Sequence, residues 1–394
     1  MPQQAIKKDN LFFLFSPLKK FFNDSRASGI MLISSTMVSL LFANMKVTSG
    51  AYISMYNQVL FSHLPYIHLP ETMLLVINDA LMAAFFLLVG MEIKIELTIG
   101  ELSTVKKSLL PAIAAIGGML FPALIFVVFN QQTAFQSGWA IPMATDIAFS
   151  LAILSLLGNR IPLPLKIFLT AFAIIDDLGA VSVIAIFYAS TIKMIFLALA
   201  IVLVGILMLM NWLQVAKPQY YILIGIILWY VLFNSGIHAT IAGVVLGFCM
   251  PLKSLTKLEH QLFRPVNFVI MPLFALANTA ILLPSNSASI ISSTLSIGIF
   301  LGLVVGKPIG IMLFSFIATK LNIAELPYQI KWSQMMGISI LGGIGFTMSI
   351  FTSSLSFTVP AWLDMAKLSV IAASLLSGSA GYCYFYWLNP KAKP

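Results

Sequence analysis

Charge is what this sequence has least of. Of its 394 residues only 9% are Asp, Glu, Lys or Arg, while 60% are hydrophobic, and the mean hydropathy is +0.99. A soluble domain carries about 25% charged residues, so most of this chain has no water to face. No polar stretch is long enough to make a second, soluble domain. Cysteine is nearly absent too: Cys249 and Cys383 stand far apart in apolar segments. That spacing excludes a disulfide framework or a cysteine metal cluster, and both read as small hydrophobes. No basic helix carries the interleaved aromatics of a nucleic-acid reader, so the net charge of +9 points elsewhere than to nucleic acid.

What is present is a succession of apolar segments. They lie at about 28–46, 72–91, 109–130, 135–157, 163–189, 193–213, 219–234, 236–250, 266–284, 290–317, 334–356 and 361–388. A spanning helix needs roughly 20 mainly apolar residues, and the pattern predicts an all-α polytopic membrane protein with twelve transmembrane helices. Positive charge tests the count. With the N-terminus inside, every one of the 22 basic residues falls on inner connections except Lys46, Lys193, Lys367 and Lys307. The first three are expected on the outer side or at outer helix ends, and Lys307 inside a span. Such an asymmetry fixes orientation and puts both termini in the cytoplasm. Residues 1–27 are expected to lie on the membrane surface as an amphipathic segment, because Pro17, Lys19 and Lys20 follow Leu11–Phe15 where a leader would have small residues. Residues 389–394 form a cytoplasmic tail. The longest outer connection holds two short apolar runs around Leu64 and Pro65, which suggests a hairpin over 58–70.

A charge at the bilayer centre costs roughly 2.5–3.5 kcal/mol on insertion scales and marks function by default. Asp79, Asp146, Asp176, Asp177 and Lys307 all fall inside predicted spans. Asp176 and Asp177 are adjacent, so on a helix their side chains point about 100° apart. One can face a basic partner while the other faces a water-filled path. Carboxylate oxygens suit small hard cations, and burial with mutual repulsion disfavours two ionised acids side by side. Sodium and protons can therefore compete for the pair. Lys307 must pair at that depth, with Asp176 or Asp177 as the candidates. Asp146 follows Thr145 and Pro142 in a segment where proline favours a broken helix, and it would cap the half-helix that starts there. Gly342, Gly343 and Gly345 mark a second break. The two breaks occupy the middles of triplets, spans three to five and ten to twelve, that begin on opposite sides of the membrane: an inverted repeat with two discontinuous helices. Asp79, beside Asn78, reads as a hydrogen-bonded structural acid. His238 reads equally as an interfacial histidine or as part of a pH response. Glu92, Lys94, Glu96, Glu259 and His260 gather at inner helix ends, where a cluster of titratable groups can sense pH.

These residues resemble the NhaA family of sodium/proton antiporters. The likeness runs from about residue 28 to 388. It is carried by Asn78-Asp-Ala-Leu-Met-Ala83, Phe85-Phe-Leu-Leu-Val-Gly90, Trp139-Ala-Ile-Pro142, Ala144-Thr-Asp-Ile-Ala-Phe149, Ile174-Ile-Asp-Asp-Leu-Gly179, Gly306-Lys-Pro308 and Gly345-Phe-Thr-Met-Ser-Ile-Phe351. The resemblance implies one antiporter domain over 28–388, with core helices at about 109–189 and 290–388 and interface helices at about 28–91 and 193–284. It implies sodium and proton binding at Asp177 and Asp176, with Asp146 and Thr145 at a helix crossing and Lys307 paired to Asp176 or carrying a proton. It implies electrogenic exchange of Na+ or Li+ for H+ in a bacterial inner membrane, no cofactor, and a homodimer joined partly by the 58–70 hairpin. Two positions depart: Ile95 stands where some relatives carry arginine, and Phe263 where some carry a second histidine. Both belong to the pH-sensing rim.

The reading is thus a secondary transporter rather than an enzyme, serving sodium and pH homeostasis. A cation channel would need a continuous ring of ligands. An intramembrane aspartyl protease needs two acids from different helices sharing one proton, which adjacent acids cannot supply.

Overall fold

A bilayer offers the backbone no hydrogen-bond partners, so long apolar runs close their own bonds as helices. The computed structural model of this chain describes residues 25–60, 68–189, 191–283, 292–327 and 329–388, and helix dominates them. In chain order these are α1 (Ser25–Asn44), α2 (Ser49–Asn57), α3 (Met73–Thr98), α4 (Val105–Asn130), α5 (Ile147–Leu156), α6 (Leu163–Phe187), α7 (Met194–Trp212) and α8 (Pro218–Ser235). Then come α9 (Ile241–Cys249), α10 (Leu252–Pro265, running on through Val266–Ile270 and Met271–Asn278), α11 (Thr294–Lys320), α12 (Trp332–Gly342), α13 (Phe346–Ser356) and α14 (Pro360–Leu388).

Among the described residues nine helical segments are long and apolar enough to cross a membrane, and α12 with α13 makes a tenth, bent by 42°. The expected eighth and ninth spans do not reach that length on their own. α9 has nine residues, about 14 Å against a hydrocarbon core of about 30 Å. The expected span over 266–284 is instead the second half of α10. Its first half is an amphipathic segment, and Pro265 sits inside the helix because the next turn is widened to an i→i+5 pattern. The same widening occurs at Val76–Leu81 in α3 and at Gly302–Gly306 in α11.

The helices join through glycines at two places. A Cβ on Gly117 of α4 would lie 2.3 Å from the Gly310 carbonyl oxygen of α11, and one on Gly310 would lie 2.1 Å from that of Gly117. On the other side, Gly243 and Gly247 of α9 press on the α3 backbone at Ala83 and Gly90. Glycine alone permits either approach. Lys94 adds a polar tie there, its Nζ donating to the carbonyls of Phe248 at 2.7 Å and Met250 at 2.5 Å, which caps the end of α9.

The amphipathic segment 1–27 lies almost wholly outside the described residues, as do the tail and the hairpin tip at 61–67. On either side of those residues, Val59 and Thr72 form an antiparallel bridge, and Leu60 N donates to Glu71 O at 2.8 Å.

Candidate ion-binding site

Both predicted breaks are present, and they meet. The first span runs as a 3₁₀ helix over Gln136–Met143, opens into extended backbone, and resumes as α5. The second opens at Gly343 and resumes at Phe346. The strands of chain between the half-helices are stitched together: Asp146 N donates to Ile344 O at 2.6 Å, and Thr145 Oγ1 to Gly342 O at 3.0 Å. A Cβ at Gly345 would sit 2.2 Å from Ser349 Oγ and 3.1 Å from Ala144 O, so glycine lets the two breaks touch.

Asp146 caps both half-helices. Its Oδ1 accepts from Phe149 N of α5 at 2.9 Å, and its Oδ2 accepts from Thr347 N at 3.0 Å and Thr347 Oγ1 at 2.6 Å in α13. One negative charge thus faces two positive helix ends. Both oxygens are engaged, which makes Asp146 first a fastener of the crossing.

Asp176 and Asp177 stand mid-way along α6, both buried. Their roles divide as adjacency on a helix requires. Asp176 Oδ2 takes Lys307 Nζ at 2.8 Å, with both side chains wholly buried. Lys307 also donates to Met143 O, at the end of the 3₁₀ segment. Asp177 instead lines a cavity of about 580 Å³ together with Thr145, Asp146 and Thr347. Asp176 Oδ1 and Asp177 Oδ1 have no hydrogen-bond partner. Buried carboxylate oxygens of this kind are hard, uncommitted ligands, suited to a dehydrated small cation or to protons.

The cavity continues past Glu92 and Glu96 to Glu259, His260, Phe263 and Arg264. A largely apolar funnel studded with titratable side chains therefore runs from the predicted inner rim to Asp177. Burial raises the Glu259 carboxyl above its ordinary value, and the adjacent His260 pulls it partly back.

A passage that ends on paired acids beneath crossed, interrupted helices is the architecture of an ion exchanger, and the sequence comparison agrees. The family model described as Na+/H+ antiporter 1 matches residues 19–385. The chain belongs to this Na+/H+ antiporter family. It is 47% identical over 381 residues to the Na(+)/H(+) antiporter NhaA of Cytophaga hutchinsonii, covering 95% of each chain. It is 48% identical over 373 residues to the Na(+)/H(+) antiporter NhaA 2 of Flavobacterium johnsoniae, covering 92% of this chain and 90% of the relative. Against the Na(+)/H(+) antiporter NhaA of Citrobacter koseri the identity is 45% over 386 residues, covering 96% and 99%.

Not every expected residue of this antiporter-family chain gathers at the funnel. Lys94 turns away to cap α9. His238 lies elsewhere, its Nε2 2.9 Å from the Tyr188 carbonyl oxygen. Asp79 has its carbonyl bonded by Trp229 Nε1 at 2.9 Å. Lys367, which the charge asymmetry puts on the outer side, is buried, 4% exposed, with its Nζ 3.2 Å from Asn278 Oδ1. Sequence alone places it only by the charge asymmetry. Only the amide facing it, from a distant helix, reveals a second buried base.

Proposed function

We propose that this chain exchanges sodium for protons across a bacterial inner membrane, with both termini in the cytoplasm. It would do so by alternating access. Cytoplasmic Na+ enters the funnel, displaces protons held by Asp177 and by the Lys307–Asp176 pair, and is released outside when external protons displace it. The observation that carries this reading is the division of labour in α6: Asp177 lines the cavity while Asp176 is held against Lys307. Lithium, also hard and small, fits the same carboxylates; potassium, larger and held at longer distances, gains less from hard carboxylate oxygens. Two acids and one base at one site let more than one proton move per sodium, which makes transport electrogenic. The family supports a secondary transporter rather than an enzyme, and an ion-paired Asp176 is unsuited to the proton-sharing dyad of an aspartyl protease.

The test is proton release in proteoliposomes read with a pH-sensitive dye. Na+ and Li+ are expected to drive it and K+ is not. Asp177→Asn should abolish it without loss of folded protein, since one ligand charge disappears. Near-normal exchange by that variant, or equal responses to Na+ and K+, would reject the assignment.

A further inference from the structure

The exchange mechanism makes no use of Lys367, although a buried ammonium is costly and needs a reason. The residue stands two turns into α14. Its acceptor is a neutral amide, Asn278 Oδ1, rather than a carboxylate. Asp364, one turn earlier on the same helix, is the negative charge that acts on it. Asn278 is itself tied to Asn78, donating to Asn78 Oδ1 at 2.7 Å and receiving Asn78 Nδ2 at 3.4 Å, while also donating to Phe274 O at 3.1 Å. Three elements meet here: α3 through Asn78, α10 through Asn278 and α14 through Lys367.

Location gives the cluster its meaning. On α3, Asn78 lies about four turns, roughly 20 Å, from Glu92, and on α10 Asn278 lies about as far from Arg264. Glu92 and Arg264 both line the open cavity. Two helices thus independently put the cluster at the opposite end of the site from the cavity mouth. From Lys367 a polar seam runs back along α14. Ser374 and Ser377 are buried with hydroxyls that have no hydrogen-bond partner, and Ser377 Oγ would meet a Cβ on Gly343 at 2.6 Å, beside the second break. Ser349 on α13 is likewise buried and unsatisfied. Unsatisfied buried hydroxyls demand explanation, and a seam that becomes wet in another state supplies one. An ammonium whose hydrogen bond is to an amide, with Asp364 acting on it only through space, suits a contact that must break: its remaining donors can pass to water.

We propose that Lys367, Asn278 and Asn78 form the latch that keeps the far side of the site shut while the funnel is open, and that it must part for Asp177 to reach the other face. The proposal rests on the alternating-access reading above. Lys367 acts here as a positioning residue and touches no ion.

Two variants of the full chain in proteoliposomes test it. Lys367→Met weakens the closed state, so exchange should persist while the sodium KM values at the two membrane faces shift in opposite directions, each by about threefold or more. KM values that stay at wild type, or move together, overturn the latch and leave a structural contact. The second variant joins Asn278→Cys and Lys367→Cys, with Cys249→Ala and Cys383→Ala removing the native thiols. A short, reducible bis-thiosulfonate joining the pair should lower exchange by about tenfold or more, and reduction should restore it. Exchange that survives the joining overturns the proposal, since a covalently closed latch cannot open. Wild-type protein without sodium-driven proton flux defeats the antiport reading and the latch with it; a failure of the latch alone leaves wild type active.

Discussion

Three acids crowd one neighbourhood, and each is used differently. Asp146 has both oxygens bonded by helix ends, Asp176 has one oxygen on Lys307, and Asp177 faces the cavity. The Lys307–Asp176 pair is where structural and transport roles separate most cleanly. Removing one member of a buried pair costs about 3–5 kcal/mol, because the other is left uncompensated. Lys307→Ala should therefore lower the melting temperature and leave Asp176 holding a proton instead of a charge. If Lys307 also carries a transported proton, sodium-driven current on a supported membrane should collapse while electroneutral exchange persists. A full-sized current from the variant leaves Lys307 as a strut. The acids were legible in the sequence because two adjacent carboxylates in an apolar run exceed what one buried base can neutralise. Which of them takes the lysine came only from the family resemblance, since adjacency fixes the angle between them but not the direction of either. Lys367 stayed hidden for a related reason: its partners, Asn278 and Asn78, belong to helices far away in the chain, and no local pattern joins them.

At the scale of elements, proline and glycine announced the two interrupted spans, and the breaks occur beside Pro142 and at Gly343. The widened turns gave no such notice. The turn at Val266–Ile270 lets α10 run unbroken past Pro265, so the amphipathic stretch before it, with Glu259 and His260, is rigidly continuous with a membrane helix. That stretch carries a pH prediction. The raised Glu259 carboxyl holds its proton more tightly in the folded protein than in the unfolded chain. Its contribution to stability is therefore complete below the ordinary carboxylate range, about 4.3, and is lost as pH climbs through the raised value. Glu259→Gln should match wild type in acidic buffer and melt at a higher temperature in alkaline buffer, measured in detergent by intrinsic fluorescence. A variant that melts lower than wild type in alkali would show that the ionised Glu259 stabilises the rim.

At the scale of the molecule, the polytopic membrane class could be read from the sequence because it depends on composition. The twelvefold count depended on a length rule that α9 and the second half of α10 do not obey. Subunit association is a surface property that the pattern only hints at, through the segment 58–70. Val59 and Thr72 form an antiparallel bridge there. If the hairpin joins two copies, deleting it should shift detergent-solubilised protein toward monomer by light scattering while some exchange survives. An unchanged dimer fraction moves the contact elsewhere.

The doubly capped crossing also sets an order of assembly. Asp146 and its partner Thr347 are separated by 201 residues, and a ribosome adds about 5–20 residues per second. The first interrupted span thus enters the membrane about 10–40 seconds before the groups that complete it have been made. During that interval Thr145, Asp146 and the open backbone around them must be sheltered by the insertion machinery or by water drawn into the bilayer. Nascent chains halted before residue 346 should therefore be the fraction most readily captured by quality-control proteases, and release from that surveillance should coincide with synthesis of α13.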